Sequence, residues 1–190
     1  MKLTTDHLNY TLPRERWKER LRELIIYICR QCADHEYFGA IKLNKILYYS
    51  DFESYKRLDF PITGTAYRKL PKGPAPENFL AVRRELVENG LAELDERPAS
   101  KGDYVEHRLV AKREADLTIF SKSEIEVVDE IINRFADLTA SEVSELSHDI
   151  RWHTVEMNTL MPYEMVWMSN EPITSHDRKR VKELILEHGW

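Results

Sequence analysis

One run constrains this chain more than any other: Lys42-Leu43-Asn44-Lys45-Ile46-Leu47-Tyr48-Tyr49-Ser50-Asp51-Phe52. At helical spacing Leu43, Ile46, Leu47 and Ser50 fall on one face, and Tyr48, Phe52 and Tyr55 on a second. Lys42, Lys45, Tyr49 and Glu53 form a third, the only one suited to water. A helix apolar over most of its circumference must be enclosed by other elements. The pattern predicts a central helix over 41–55. It is either a core element alone or a scaffold whose thin polar edge reaches the surface.

The rest of the chain has to wrap that helix. With 190 residues, 42% of them hydrophobic and 32% charged, the composition suits one folded domain over 1–190 with a proper core. No apolar run approaches the ~18 residues that span a membrane, and the N-terminus lacks the apolar stretch of a signal peptide. The expectation is a cytoplasmic protein with no membrane partner.

Taken in order, residues 1–13 show little periodicity and read as a loose N-terminal extension. The stripe Trp17, Leu21, Leu24 or Ile25, Ile28 and Cys32 predicts a helix over about 14–34, with Lys18, Glu19, Arg22, Glu23 and Arg30 on its polar face. The central helix follows and stops at Asp59-Phe60-Pro61. Ile62–Arg68 is rich in strand formers. Leu70-Pro71-Lys72-Gly73-Pro74-Ala75-Pro76 must be a rigid, shaped turn.

A helix with Phe79, Val82 or Arg83, and Leu86 inward starts at Pro76 and ends at Asn89-Gly90. The strand 91–94, the polar loop 95–103 and the alternating strand 104–110 come next. Helix, strand, loop and strand in this order have the layout of the helix-plus-wing half of a winged helix. Ser121-x-x-Glu124 and Thr139-x-x-Glu142 are capping boxes that open helices over 122–137 and through Val143 and Leu146. A final helix spans 174–188, carried by Val181, Leu184 and Ile185. The expected fold is therefore α+β, mainly α: a buried central helix, about five helices around it and a small antiparallel sheet.

Candidates for chemistry are weak. Cys29 and Cys32 have Cys-x-x-Cys spacing with His35 nearby, but no second pair exists and Cys32 continues an apolar stripe, which favours packing thiols over a metal site. Ser147-His148-Asp149 holds the residue types of a hydrolase triad, yet adjacent helical residues project about 100° apart and cannot form its chain of hydrogen bonds. His148 and His153, with Glu145 or Asp149, lack the i, i+4 spacing of helical zinc ligands. Six glycines, none clustered, offer no phosphate-cradling loop. No enzyme activity, cofactor or metal is expected.

Charge bears on partners. Net charge is −5, which opposes binding to nucleic acid. Residues 40–84 carry nine Lys or Arg against four Asp or Glu, whereas 114–149 carry ten acids against two bases. Such asymmetry means either an internal ion-pair interface or two oppositely charged binding surfaces. Lys72, Arg83, Arg84, Lys101 and Arg108 lie in or beside the winged-helix-like half. They keep a DNA-binding regulator or phage modulator as the alternative function.

The motifs taken together resemble a known family. Leu43-Asn44-Lys45-Ile46-Leu47-Tyr48-Tyr49, Ile62-Thr63-Gly64 with Tyr67, Gly73-Pro74, and Leu146-Ser147-His148 with Trp152 are similar to the pattern of the Panacea domain of SocA-like antitoxins. That pattern is a KLQKLLYY helix, a strand leading to Gly-Pro, and a late Leu-Ser-His before a Trp. Asn44 stands here for the usual glutamine, and Gly73-Pro74-Ala75 for Gly-Pro-Val. The resemblance spans about 37–167. It implies a non-enzymatic bacterial or phage protein that binds and neutralises a cognate toxin. In one variant of the family, the antitoxin is an adaptor that delivers its toxin to a protease.

A binding protein needs surface aromatic and basic groups around a dry patch. The expected partner-binding residues are the helix edge Lys42, Lys45 and Tyr49, the turn Lys72, Gly73 and Pro74, and His148 with Trp152, all converging on one face.

Overall fold

The computed structural model describes residues 8–12, 16–98, 105–169, 171 and 174–188. Its axis is α2 (Ala40–Leu58), which buries eleven of its residues, among them Leu43, Ile46, Leu47, Tyr48 and Phe52. Asp59 takes a left-handed conformation after its last turn, as the Asp59-Phe60-Pro61 stop requires. α1 (Trp17–Gln31) packs along α2 through Leu21, Leu24, Ile25 and Ile28. The predicted start at 14 lies outside the described residues.

On the other side α4 (Lys122–Phe135) and α5 (Ala140–Leu146) close over α2. Both begin in the capping boxes read from the sequence, Ser121 with Glu124 and Thr139 with Glu142. α3 (Phe79–Glu88) starts three residues later than expected. Ala75–Pro76 is taken instead by strand β2, which pairs antiparallel with β1 (Tyr67–Arg68). β1 also pairs with β5 (Leu160–Met161), a strand the sequence did not reveal, giving the sheet order β2-β1-β5. The second sheet is the hairpin of β3 (Ala92–Pro98) and β4 (Val105–Ala111), so residues 95–98, expected in the polar loop, belong to β3, and 99–104 lie outside the described residues. α3 followed by this hairpin keeps the helix-and-wing order.

Only Tyr67–Arg68 of the predicted strand 62–68 is a strand, and the reason lies in α2. Asp51 is fully buried there. Its carboxylate accepts from the Thr63 amide at 2.7 Å and the Tyr67 hydroxyl at 2.7 Å, and from the Thr63 hydroxyl. A side chain thus takes the Thr63 amide, a donor that a sheet ladder would have used. Burial pushes the Asp51 carboxyl up against the opposing pull of these donors.

Some acids of 114–149 are paired with basic residues of α1 and α2. Arg20 of α1 pairs with Glu124 of α4, both buried. Arg57 of α2 pairs with Glu130, and Arg30 with Glu114. Glu23, placed by its helical position on a polar face, is buried instead. Burial opposes its ionisation, but hydrogen bonds from Arg113, the Asp116 amide and Arg22 prevail and hold its carboxyl down to about 2.

The N-terminal segment is held down where it is described. The Asn9 amide donates to Glu164 at 2.9 Å, and the Asn9 carbonyl accepts from Tyr163 at 2.8 Å. Residues 8–12 are therefore docked rather than loose; 1–7 and 13 lie outside the described residues. α6 (Ile150–Thr154) and α7 (Ser175–His188) complete the chain. In α7, Val181 and Ile185 are exposed rather than turned into a core. Among the described residues no helix is long and apolar enough to cross a membrane.

Candidate partner-binding site

The residues expected at the binding face do come together, but mostly below the surface. Lys42 is 0% exposed and Lys45 2%. The Lys42 ammonium donates to the carbonyls of Ala136 at 2.9 Å and Leu138 at 2.7 Å, capping the C-terminal end of α4. Lys45 reaches the Pro-Gly turn and donates to the Pro74 carbonyl at 2.7 Å. Tyr49 is buried too and donates to the Leu146 carbonyl at 2.9 Å, at the end of α5. The expectation that this edge of the helix meets water is thereby corrected. Long lysine stems pack like apolar chains while their ammonium groups find carbonyls on other elements.

Gly73 and Pro74 are also buried, and Gly73 has φ +85°. A Cβ at Gly73 would collide with Ser147 Oγ and lie 2.7 Å from Lys45 Cε. The turn therefore touches α2 and the α5–α6 junction at one point, and only glycine fits there. Ser144 of α5 ties the turn again, donating to the Lys72 carbonyl at 3.0 Å.

The remaining three residues reach the surface. Lys72 is exposed, and His148 and Trp152 are half-buried. Trp152 Nε1 donates to the Leu70 carbonyl at 3.1 Å, and the His148 and Trp152 rings lie 4.2 Å apart. Lys69 was missed. Its ammonium lies 3.9 Å over the Trp152 ring and donates to the Val155 carbonyl at 2.7 Å.

The site's chemistry is that of a scaffold. Ser147 Oγ donates to the Ser144 carbonyl at 2.6 Å, and the Asp149 carboxylate caps α6 and binds Arg151. Neither serves His148 as in a catalytic triad. Cys29 and Cys32 are buried thiols, and burial raises the pKa of Cys32 to about 12. Among the described residues no cluster of metal-ligating side chains occurs. A cavity of about 500 Å³ lies between Leu8, Tyr10 and the segment 154–168.

Lys45 gives the seam a measurable signature. Burial pushes its pKa down to about 7. In the unfolded chain a lysine keeps its proton to about pH 10.4. Between these values the unfolded chain binds more protons, so stability rises as pH increases through the window. The free energy of urea unfolding is expected to climb from pH 7 to about pH 9.5 in the wild type relative to Lys45→Met. Parallel pH dependences in the two proteins would contradict it.

Residues 43–153, more than half of the chain, match the family described as Antitoxin SocA-like, Panacea domain, and the protein belongs to that family. No curated protein and no solved structure matches the chain. The motif residues from Leu43 to Trp152 lie inside the matched segment, and Lys42 stands just before it. Most have a physical role in the structure. Leu43, Ile46, Leu47 and Tyr48 fill the core, and Thr63 and Tyr67 bind Asp51. Gly73, Pro74, Ser147 and Trp152 lock the turn to α2, α5 and α6.

Proposed function

We propose that this protein is an antitoxin that binds a cognate toxin protein and neutralises it by contact, without catalysis. The observation that carries the reading is the antitoxin-family match over 43–153. Its motif residues are consumed in holding a rigid frame, and the nucleophile and carboxylate at 147–149 are occupied by structural hydrogen bonds. A protein built this way acts through its shape and surface.

The test uses the protein encoded beside this one as the toxin. Expressed alone it is expected to stop growth; expressed with this protein it is expected to permit growth, and the two are expected to co-purify. A toxin whose level falls on co-expression marks delivery to a protease, and one whose level holds marks blockade. Growth arrest unrelieved by co-expression would overturn the proposal.

A further inference from the structure

The seam leaves little of the motif on the surface, so contact with a partner has to be made elsewhere. A groove crosses the first turn of α2 as three linked depressions of about 290, 140 and 230 Å³. The first and second share Ala40; the second and third share Ile41, Lys72 and Ala140. Its walls come from α3, the Pro-Gly turn, α5 and the start of β4.

Two features describe what would fill it. The floor of the largest depression is apolar, with Leu70, Ala75, Pro76 and Phe79, and Leu80 on its edge is 60% exposed. The rim is cationic. Lys72 and Arg83 line the groove, Arg84 stands beside Arg83 on α3, and among the described residues none of the three has an ion-pair partner. Arg68, also on the wall, is paired with Glu77.

We infer that this groove is the toxin-docking surface, and that it takes a segment of the partner protein carrying carboxylates beside an apolar side chain. The apolar side chain enters the depression between Phe79 and Leu80. Carboxylates meet Lys72 and Arg83. Unpaired cations around a dry pocket favour such a segment over other occupants by charge complementarity. The apolar floor and the net charge of −5 are a poor match to the phosphates of DNA.

The inference rests on the antitoxin reading, and the experiment separates the two. Wild type, Leu80→Asp, Lys72→Glu and Arg83→Glu/Arg84→Glu are titrated against the adjacent-gene product, with Lys122→Glu as a control away from the groove. The altered side chains are on the surface or the groove rim, so thermal unfolding should match the wild type. Affinity is expected to fall about tenfold or more for the three groove variants and to hold for Lys122→Glu. Wild-type affinity should weaken as salt rises, and less steeply in Arg83→Glu/Arg84→Glu.

Groove variants that fold and bind like the wild type would overturn the docking surface and leave the antitoxin reading standing. A wild-type protein that does not bind the toxin removes both. Two further results also overturn the inference, each with toxin affinity intact: loss of duplex DNA binding in Arg83→Glu/Arg84→Glu, or dissociation of a wild-type dimer in that variant.

Discussion

Asp51→Ala is expected to be among the most destabilising substitutions in this protein, costing about 3–5 kcal/mol and lowering the melting temperature by roughly 10 °C. The carboxylate is fully buried and is the common acceptor for the Thr63 amide, the Thr63 hydroxyl and the Tyr67 hydroxyl. Removing it strands three donors in an interior that water does not reach. It also frees the chain between α2 and β1, which these bonds tie to the middle of α2. Asp51→Asn is expected to cost about half as much, since one carbonyl oxygen still serves the Thr63 amide and the hydroxyls can rotate to accept from the new N–H. Urea unfolding of the two variants checks the ranking. Equal, small losses would mean that the Asp51 cluster contributes little.

Gly73→Ala is the second large effect, expected at about 3 kcal/mol. Two costs add. A left-handed backbone, φ +85°, penalises any Cβ. The added methyl would also collide with Ser147 Oγ and fall 2.9 Å from Lys45 Nζ. Neither neighbour gives way freely, because Ser147 is bonded to the Ser144 carbonyl and Lys45 to the Pro74 carbonyl. Gly90 supplies the comparison: its φ is +66°, but nothing lies within 4 Å of the position of a Cβ. Gly90→Ala should therefore cost only the conformational part, about 1 kcal/mol. Thermal unfolding of both variants, and of Gly73→Ala combined with Ser147→Ala, separates strain from collision. Similar losses for Gly73→Ala and Gly90→Ala would show that the contact with Ser147 is without weight.

These two positions also show what could be read from the sequence. Helices with strong periodicity were legible: the stripe of α1, the enclosed faces of α2 and the capping boxes at Ser121 and Thr139 all depend on residues within a few positions of one another. The shape of the Pro-Gly turn was legible too, because proline and glycine act locally. Strands of two residues were not, since Tyr67–Arg68 and Leu160–Met161 are too short for alternation to register.

The polar edge of α2 failed for a different reason. Lys42 and Lys45 carry charge, and charge at helical spacing reads as a wet face. Their partners, the carbonyls at 136, 138 and 74, belong to other elements and leave no trace in the local pattern. Asp51, Glu23 and Arg20 were hidden in the same way. The contact of Lys45 and Ser147 with the Pro-Gly turn joins stretches that the sequence singled out, whereas the burial of Lys42, Lys45, Tyr49, Gly73 and Pro74 required the fold.

The protein thus divides its labour between frame and surface. The family motif locks α2, the turn and α5–α6 into a frame, and the surface around the start of α2 is left for recognition. The measurement that bears most directly on this is a titration of the purified toxin with the purified protein, with toxin activity and the masses of both chains recorded. The expected result is loss of activity that saturates at a fixed ratio of the two proteins, with both masses unchanged. Inactivation by amounts far below that ratio, or a toxin recovered with an altered mass, would contradict neutralisation by contact.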